Sequence, residues 1–163
     1  MKNRKGPVIY IIDKNSSYRK VIEGFIRVLG NCRVSSSESC ERLLSDNIRP
    51  DIIILDHNMG ENKLSGLDFV RSYGSRFPKT RFIFLSSCTN LEIAVASIKA
   101  GACDYIVKSK AGIERMIKNL ENLFDSYQMV HREKRQLRTA VISLGMFSLF
   151  FALIIFLYNH QVI

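Results

Sequence analysis

Residues 51–56 read Asp-Ile-Ile-Ile-Leu-Asp, four large apolar side chains in a row closed by an acid. The run is too short for a buried helix and lacks the polar–apolar alternation of a half-exposed strand, so it reads as a strand buried on both faces. A parallel sheet covered by helices on either side is the architecture that buries a strand in this way. Three further segments obey the same rule. Val8-Ile9-Tyr10-Ile11-Ile12 ends at Asp13, Arg81-Phe82-Ile83-Phe84-Leu85 ends at Ser86-Ser87, and Asp104-Tyr105-Ile106-Val107 ends at Lys108. A fifth, weaker strand candidate is Cys32 to Ser35.

Helical patterns separate these runs. Ser16 or Ser17 is placed to cap a first helix whose Val21, Ile22, Phe25, Ile26 and Leu29 share a face, and Gly30-Asn31 stops it. A second helix is expected from Ser36 or Ser37 to about Asn47, with Leu43 and Leu44 inward. A third runs from about Gly66 to Phe77, carrying Leu67, Phe69 and Val70. Asn90 caps a fourth that continues through Ala100 and is broken by Gly101. A fifth runs from about Gly112 to Ser126, with the option of continuing onward. Strands alternating with helices predict an α/β fold with a five-stranded doubly wound parallel sheet, flavodoxin-like in order. Ligands in such folds sit outside the carboxyl ends of the strands. Asp13, Asp56, Ser86 and Lys108 all fall there, so the fold gathers them at one rim.

That combination suits phosphoryl chemistry. A carboxylate can attack phosphorus and form an acyl phosphate, and the barrier is the approach of one anion to another. Positive charge at the equatorial oxygens, from an ammonium or a divalent ion, lowers it. A hydroxyl nearby can bind the phosphate after it arrives and convert bond formation into loop movement.

Ile11-Ile12-Asp13, Asp51 to Met59, Phe84-Leu85-Ser86-Ser87 and Ala100 to Lys108 together resemble the receiver domain of two-component response regulators, over residues 8 to about 126. The resemblance implies that Asp56 is the phosphoacceptor and that Ser86 is the switch hydroxyl. It implies that Lys108 pairs with the phosphoryl group and that Tyr105 is the aromatic switch residue. Asp13, Asp56 and the backbone carbonyl of Asn58 are the implied magnesium ligands. A histidine kinase or phosphotransfer protein is the implied donor, and the protein is a phosphoacceptor rather than an enzyme acting on other substrates.

Three departures bear on that picture. Lys14 stands where receivers usually carry a second acid that ligates the metal directly, which weakens the expectation of magnesium. Its long stem either points to solvent or places a charge that partly substitutes for the ion. Gly60 stands where proline often follows Met, in a loop from His57 to Ser65 that is about two residues long for the family. Ser109 replaces the usual cis proline after the lysine. A non-proline cis bond costs about 2.5–4 kcal/mol, so a trans bond is expected. These departures keep an alternative open, a degenerate receiver serving as a phosphorylation-independent membrane docking module or scaffold.

The end of the chain poses a different solvent problem. Ala140 to Tyr158 has no charged residue, no Pro and one Gly, and its apolar residues face every direction. Nineteen helical residues span about 28 Å, close to the bilayer hydrocarbon thickness. The expected organisation is a tail at 1–7, a receiver domain at 8–126, a basic juxtamembrane helix or linker at 127–138, a transmembrane helix at 139–158 and a short tail at 159–163. The basic segment 131–138 precedes the apolar stretch and no Lys or Arg follows it, which predicts a single-pass protein with its N-terminal domain in the cytoplasm. Tyr158 suits the far interface, and Ser143, Gly145 and Ser148 would let two such helices approach as a homodimer. No output domain follows the receiver part, so output is expected through an unknown partner protein.

The formal net charge is +9. Residues 1–130 hold 20 Lys/Arg against 14 Asp/Glu, and the remainder 4 against 1. No basic helix interleaved with aromatics and no zinc-finger or helix-turn-helix pattern accompanies this charge, so nucleic acid is not an expected partner. Cys32, Cys40, Cys88 and Cys103 form no Cys-x-x-Cys pair, and they read as buried or half-buried thiols in a reducing compartment. No glycine-rich phosphate loop follows the first strand, which argues against a nucleotide-binding enzyme.

Overall fold

The computed structural model describes residues 6–30, 32–45, 48–60 and 64–160, with side chains left undescribed at 130–135 and 157–160. The tails 1–5 and 161–163, the end of the second helix at Asn47, the stop residue Asn31 and the middle of the His57–Ser65 loop lie outside the described residues. So do most basic side chains of 131–138 and the side chain of Tyr158. The chain divides into two compact units, Met1–Phe124 and Asp125–Ile163.

In the first unit, β1 (Val8–Ile12), β2 (Arg33–Ser37), β3 (Ile52–Leu55), β4 (Arg81–Ser86) and β5 (Asp104–Val107) form one sheet in the order β2-β1-β3-β4-β5. Every pairing is parallel. The central strands β1 and β3 are buried along their whole length, as their unbroken apolar runs require. Alternate side chains feed two cores. Tyr10, Ile12, Ile53, Leu55, Phe82 and Phe84 pack on one face with Leu43, Phe69 and Val70. Ile9, Ile11, Ile52, Ile54, Ile83 and Leu85 pack on the other with Ile22, Ile26, Met116 and Leu120. The helices that supply those partners are α1 (Ser16–Val28), α2 (Cys40–Ser45), α3 (Gly66–Arg76) and α5 (Lys110–His160); α4 (Leu91–Lys99) lies between β4 and β5 in sequence. Each fully buried Ile or Leu contributes about 1.5–3 kcal/mol relative to exposure.

Several local expectations are corrected. Asn15, not Ser16 or Ser17, caps α1, accepting the Tyr18 N–H at 3.0 Å. The cap falls one residue earlier because Asp13 Oδ1 accepts the Asn15 N–H at 2.8 Å and turns the chain there. Ile22 and Ile26 are buried, while Val21 and Phe25 are more than 40% exposed. The apolar face of α1 is therefore wider than the stripe the sheet covers. Leu44 is exposed and only Leu43 points inward, α2 being a short helix that begins at Cys40. The edge strand β2 is displaced to Arg33–Ser37, its serine-rich sequence being tolerated because one side of it pairs with no strand. Cys103 is exposed rather than half-buried. The fifth helix starts at Lys110 and is continuous to His160.

The second unit consists of the later part of α5. Within it Gln136–Phe156, 21 residues of mean hydropathy 2.4 with none of it buried, is long and apolar enough to cross a membrane.

Candidate functional site

Strand order reverses between β1 and β3, so a crevice opens where their carboxyl ends diverge. Backbone bonds carry the ladder one residue past the strands and set the site residues in line. The Asp56 N–H donates to Ile12 O at 2.9 Å, the Asp13 N–H to Ser37 O at 3.2 Å and the Lys108 N–H to Ser86 O at 2.8 Å. The side chains of Asp13, Asp56, Ser86 and Lys108 then converge.

Lys108 Nζ donates to Asp13 Oδ2 at 2.6 Å and to Asp56 Oδ2 at 2.5 Å. Ser86 Oγ donates to Asp56 Oδ1 at 2.7 Å, and the Asn58 N–H donates to the same oxygen at 3.1 Å. Asp13 and Asp56 are each 4% exposed. Burial pushes the Asp56 carboxyl pKa upward; the bonds from Lys108, Ser86 and Asn58, with the Lys108 charge, outweigh it and hold the group below the ordinary carboxylate value. Burial likewise works against the Lys108 ammonium, yet the two aspartates raise its pKa above the usual lysine value. The lowered Asp56 and raised Lys108 values both favour the charged pair, the form in which a carboxylate can attack.

Tyr105 stacks on Phe84 at 6.0 Å, and its hydroxyl donates to Cys88 O at 2.9 Å, two residues beyond Ser86. Movement of the Ser86 segment therefore bears directly on this ring. Asn58 places its N–H on Asp56, and its side-chain oxygen accepts the Gly60 N–H at 3.1 Å. Gly60 takes φ +100°, a conformation that glycine adopts freely. A cleft of about 450 Å³ lined by His57, Asn58, Met59, Ser86 and Cys88 opens beside the carboxylate cluster.

The Lys108–Ser109 bond is trans, as expected. Lys108 reaches both carboxylates from that backbone. Ser109 Oγ accepts the Gly112 N–H at 3.0 Å and Ser109 O accepts the Ile113 N–H, so this serine caps α5.

Three contributors escaped the sequence reading. The ring of Tyr18 lies under the Lys108 ammonium, 4.7 Å from Nζ to centroid. The Arg19 guanidinium donates to the backbone carbonyl of Asp13. Gly66 lets α3 approach the sheet, since a Cβ there would lie 3.0 Å from Asp56 O and 2.9 Å from the Phe84 ring. Tyr18 and Arg19 occupy the first turn of α1, where position relative to a cap is the only signal, and the observed cap at Asn15 lies one residue before the expected one.

Lys14 is exposed, which settles its orientation in favour of solvent. Magnesium is the ion the resemblance implies, with Asp13 and Asp56 as its side-chain donors. All four of their oxygens already accept hydrogen bonds, and Lys108 occupies the outer pair. Among the described residues no group of three or more His, Cys, Asp or Glu side chains could hold a metal ion. This donor set does not fit a resident magnesium ion.

The response regulator receiver domain model matches residues 9–121. The chain belongs to that family. It is 32% identical over 108 residues to the response regulator protein TmoT of Ectopseudomonas mendocina, covering 65% of this chain and 48% of that protein. It is 32% identical over 106 residues to TodT of Pseudomonas putida F1, covering 64% and 45%. The chain thus spans about half the length of these curated relatives. Among solved structures, the BeF3-activated DrrB receiver domain superposes with a TM-score of 0.66 at 22% identity, covering 74% of this chain and 98% of that one, a likeness of fold.

Proposed function

We propose that this receiver accepts a phosphoryl group on Asp56 from a histidine kinase or phosphotransfer protein and signals from a membrane surface to a partner protein. The observation that carries the proposal is the Asp56 carboxylate held between Ser86 Oγ and Lys108 Nζ at the carboxyl edge of the sheet. In the transfer a carboxylate oxygen of Asp56 forms a bond to phosphorus as the donor's P–N bond breaks, and the imidazole keeps the bonding pair. Lys108 shifts its ammonium from carboxylate to phosphoryl oxygen, and Ser86 exchanges Asp56 for the new anion. That exchange pulls on the segment whose Cys88 carbonyl anchors Tyr105.

The tether is Gln136–Phe156, with the basic stretch before it keeping the receiver on the cytoplasmic side. The competing reading, a docking module that never carries phosphate, draws on the exposed lysine at position 14. Intact mass spectrometry of the full chain in detergent, incubated with acetyl phosphate and magnesium, separates the two. We expect a single phosphate adduct that Asp56→Asn abolishes. No adduct on folded protein would leave the docking module as the better account.

A further inference from the structure

Two carboxylates, Asp13 and Asp56, face one another across Lys108. Arg19 adds a second cation, bonded to the Asp13 backbone carbonyl. Two cations against two carboxylates leave no net negative charge for a divalent cation to neutralise, and Lys108 already stands between the carboxylates such a cation would bridge. We infer that this pocket takes up a phosphoryl group on its own side-chain cations, with the Lys108 ammonium seated on Tyr18, and needs no divalent metal. The inference rests on the phosphoacceptor reading of Asp56.

Position 14 supplies the first argument. A carboxylate there would add a donor and a negative charge beside Asp13; an ammonium removes the donor and reverses the sign. Occupancy points the same way. The oxygens a metal would use are the ones Lys108 bridges, at 2.5 and 2.6 Å. A metal would have to evict a half-buried ammonium that both aspartates stabilise.

Tyr18 supplies the third. Its ring face lies 4.7 Å from Lys108 Nζ, and its hydroxyl is buried with no hydrogen-bond partner. The ring is placed for its face, and a cation over a desolvated aromatic face is held more strongly than one in water. Tyr18 is thus a positioning residue that keeps the ammonium in the pocket. The transfer from acetyl phosphate balances without a co-reactant. A carboxylate oxygen of Asp56 bonds to phosphorus, the P–O bond to acetate breaks, and acetate leaves with the bonding pair.

The test uses the full chain in detergent micelles, with two measurements. Calorimetric titration with MgCl2 should give no saturable binding for the native sequence. Lys14→Asp should gain a saturable site that adding Asp13→Asn removes. Adduct formation from acetyl phosphate, followed by intact mass, should differ by no more than about twofold between EDTA and magnesium, whereas loss of a metal that stabilises transition-state charge would slow it by about a hundredfold or more. Tyr18→Phe should keep the native rate and Tyr18→Leu should lose about threefold to thirtyfold. Equal rates for Phe and Leu at position 18 would remove Tyr18 from the account. Saturable magnesium binding by the native chain, or an adduct that EDTA suppresses, overturns the metal-free inference and leaves Asp56 as phosphoacceptor. No adduct in either medium overturns both readings.

Discussion

Lys108 is the residue on which the pocket balances, because one ammonium bridges two buried carboxylates. Lys108→Met leaves Asp13 and Asp56 facing each other without the ammonium that bridges them, and should cost about 3 kcal/mol near neutral pH. The pH dependence has a definite sign. In the native chain the Asp56 pKa lies below its ordinary value, so its contribution is present above the unfolded carboxylate range of about 4 and is lost as pH falls through the lower folded value. The Lys108 pKa is raised, so its contribution is present below about 10.4 and is lost as pH rises through the higher folded value. In Lys108→Met the repulsion raises the pKa of one carboxylate instead, so the deficit should shrink on acidification. Urea denaturation of both proteins between pH 4 and pH 8 (about one unit per step) checks this; a deficit independent of pH would contradict it. At this scale the sequence was informative where chemistry sat at strand ends. Asp13, Asp56, Ser86 and Lys108 each follow an apolar run, and the fold needs only parallel pairing to bring them together. Tyr18 and Arg19 were illegible because their roles depend on the direction in which the first turn of α1 leaves the sheet. That direction is set by the Asp13–Asn15 bond, a tertiary detail with no periodicity.

Among elements, the passage from β5 into α5 is the most tightly constrained. Gly112 is buried in the first turn of α5, and a Cβ added there would stand 2.0 Å from Val107 O and 3.1 Å from the Ile106 side chain. Backbone must move to admit it, and the backbone in question carries Lys108. Gly112→Ala should therefore destabilise the receiver unit by about 1–3 kcal/mol or more, as overpacking does, although alanine is the better helix former. It should also slow adduct formation on Asp56 even where the protein remains folded. Thermal denaturation together with the acetyl phosphate reaction checks both; a variant as stable and as reactive as the native chain would show that the junction yields easily. Element type and order were readable throughout, since continuous apolar runs and amphipathic stretches differ in length and period. Boundaries drifted where the signal was weak. The strand β2 is mostly serine, and the short α2 has a single inward leucine, so neither carried enough apolar pattern to mark its ends.

For the whole molecule the two units answer to different physics. The receiver unit buries its apolar residues in two cores, whereas Gln136–Phe156 leaves side chains such as Phe147, Leu149 and Phe150 exposed all round. Large contiguous apolar surface on a water-soluble protein marks an interaction site, and here its length suits a bilayer. Ser143 and Ser148 do not weaken the apolar character of the span, because each hydroxyl donates to the carbonyl three residues earlier, at 2.9 and 3.0 Å, and needs no water. A charge at the centre should be costly for a membrane span and nearly neutral for a helix that meets only water. Met146→Arg should disfavour insertion by about 2.5–3.5 kcal/mol, roughly a hundredfold in partitioning. The membrane fraction after alkaline extraction should fall accordingly, while the thermal unfolding of the receiver unit stays where it was. A native chain that alkaline extraction releases entirely into the soluble fraction would separate the receiver from any bilayer, and the apolar helix would then require a protein surface instead.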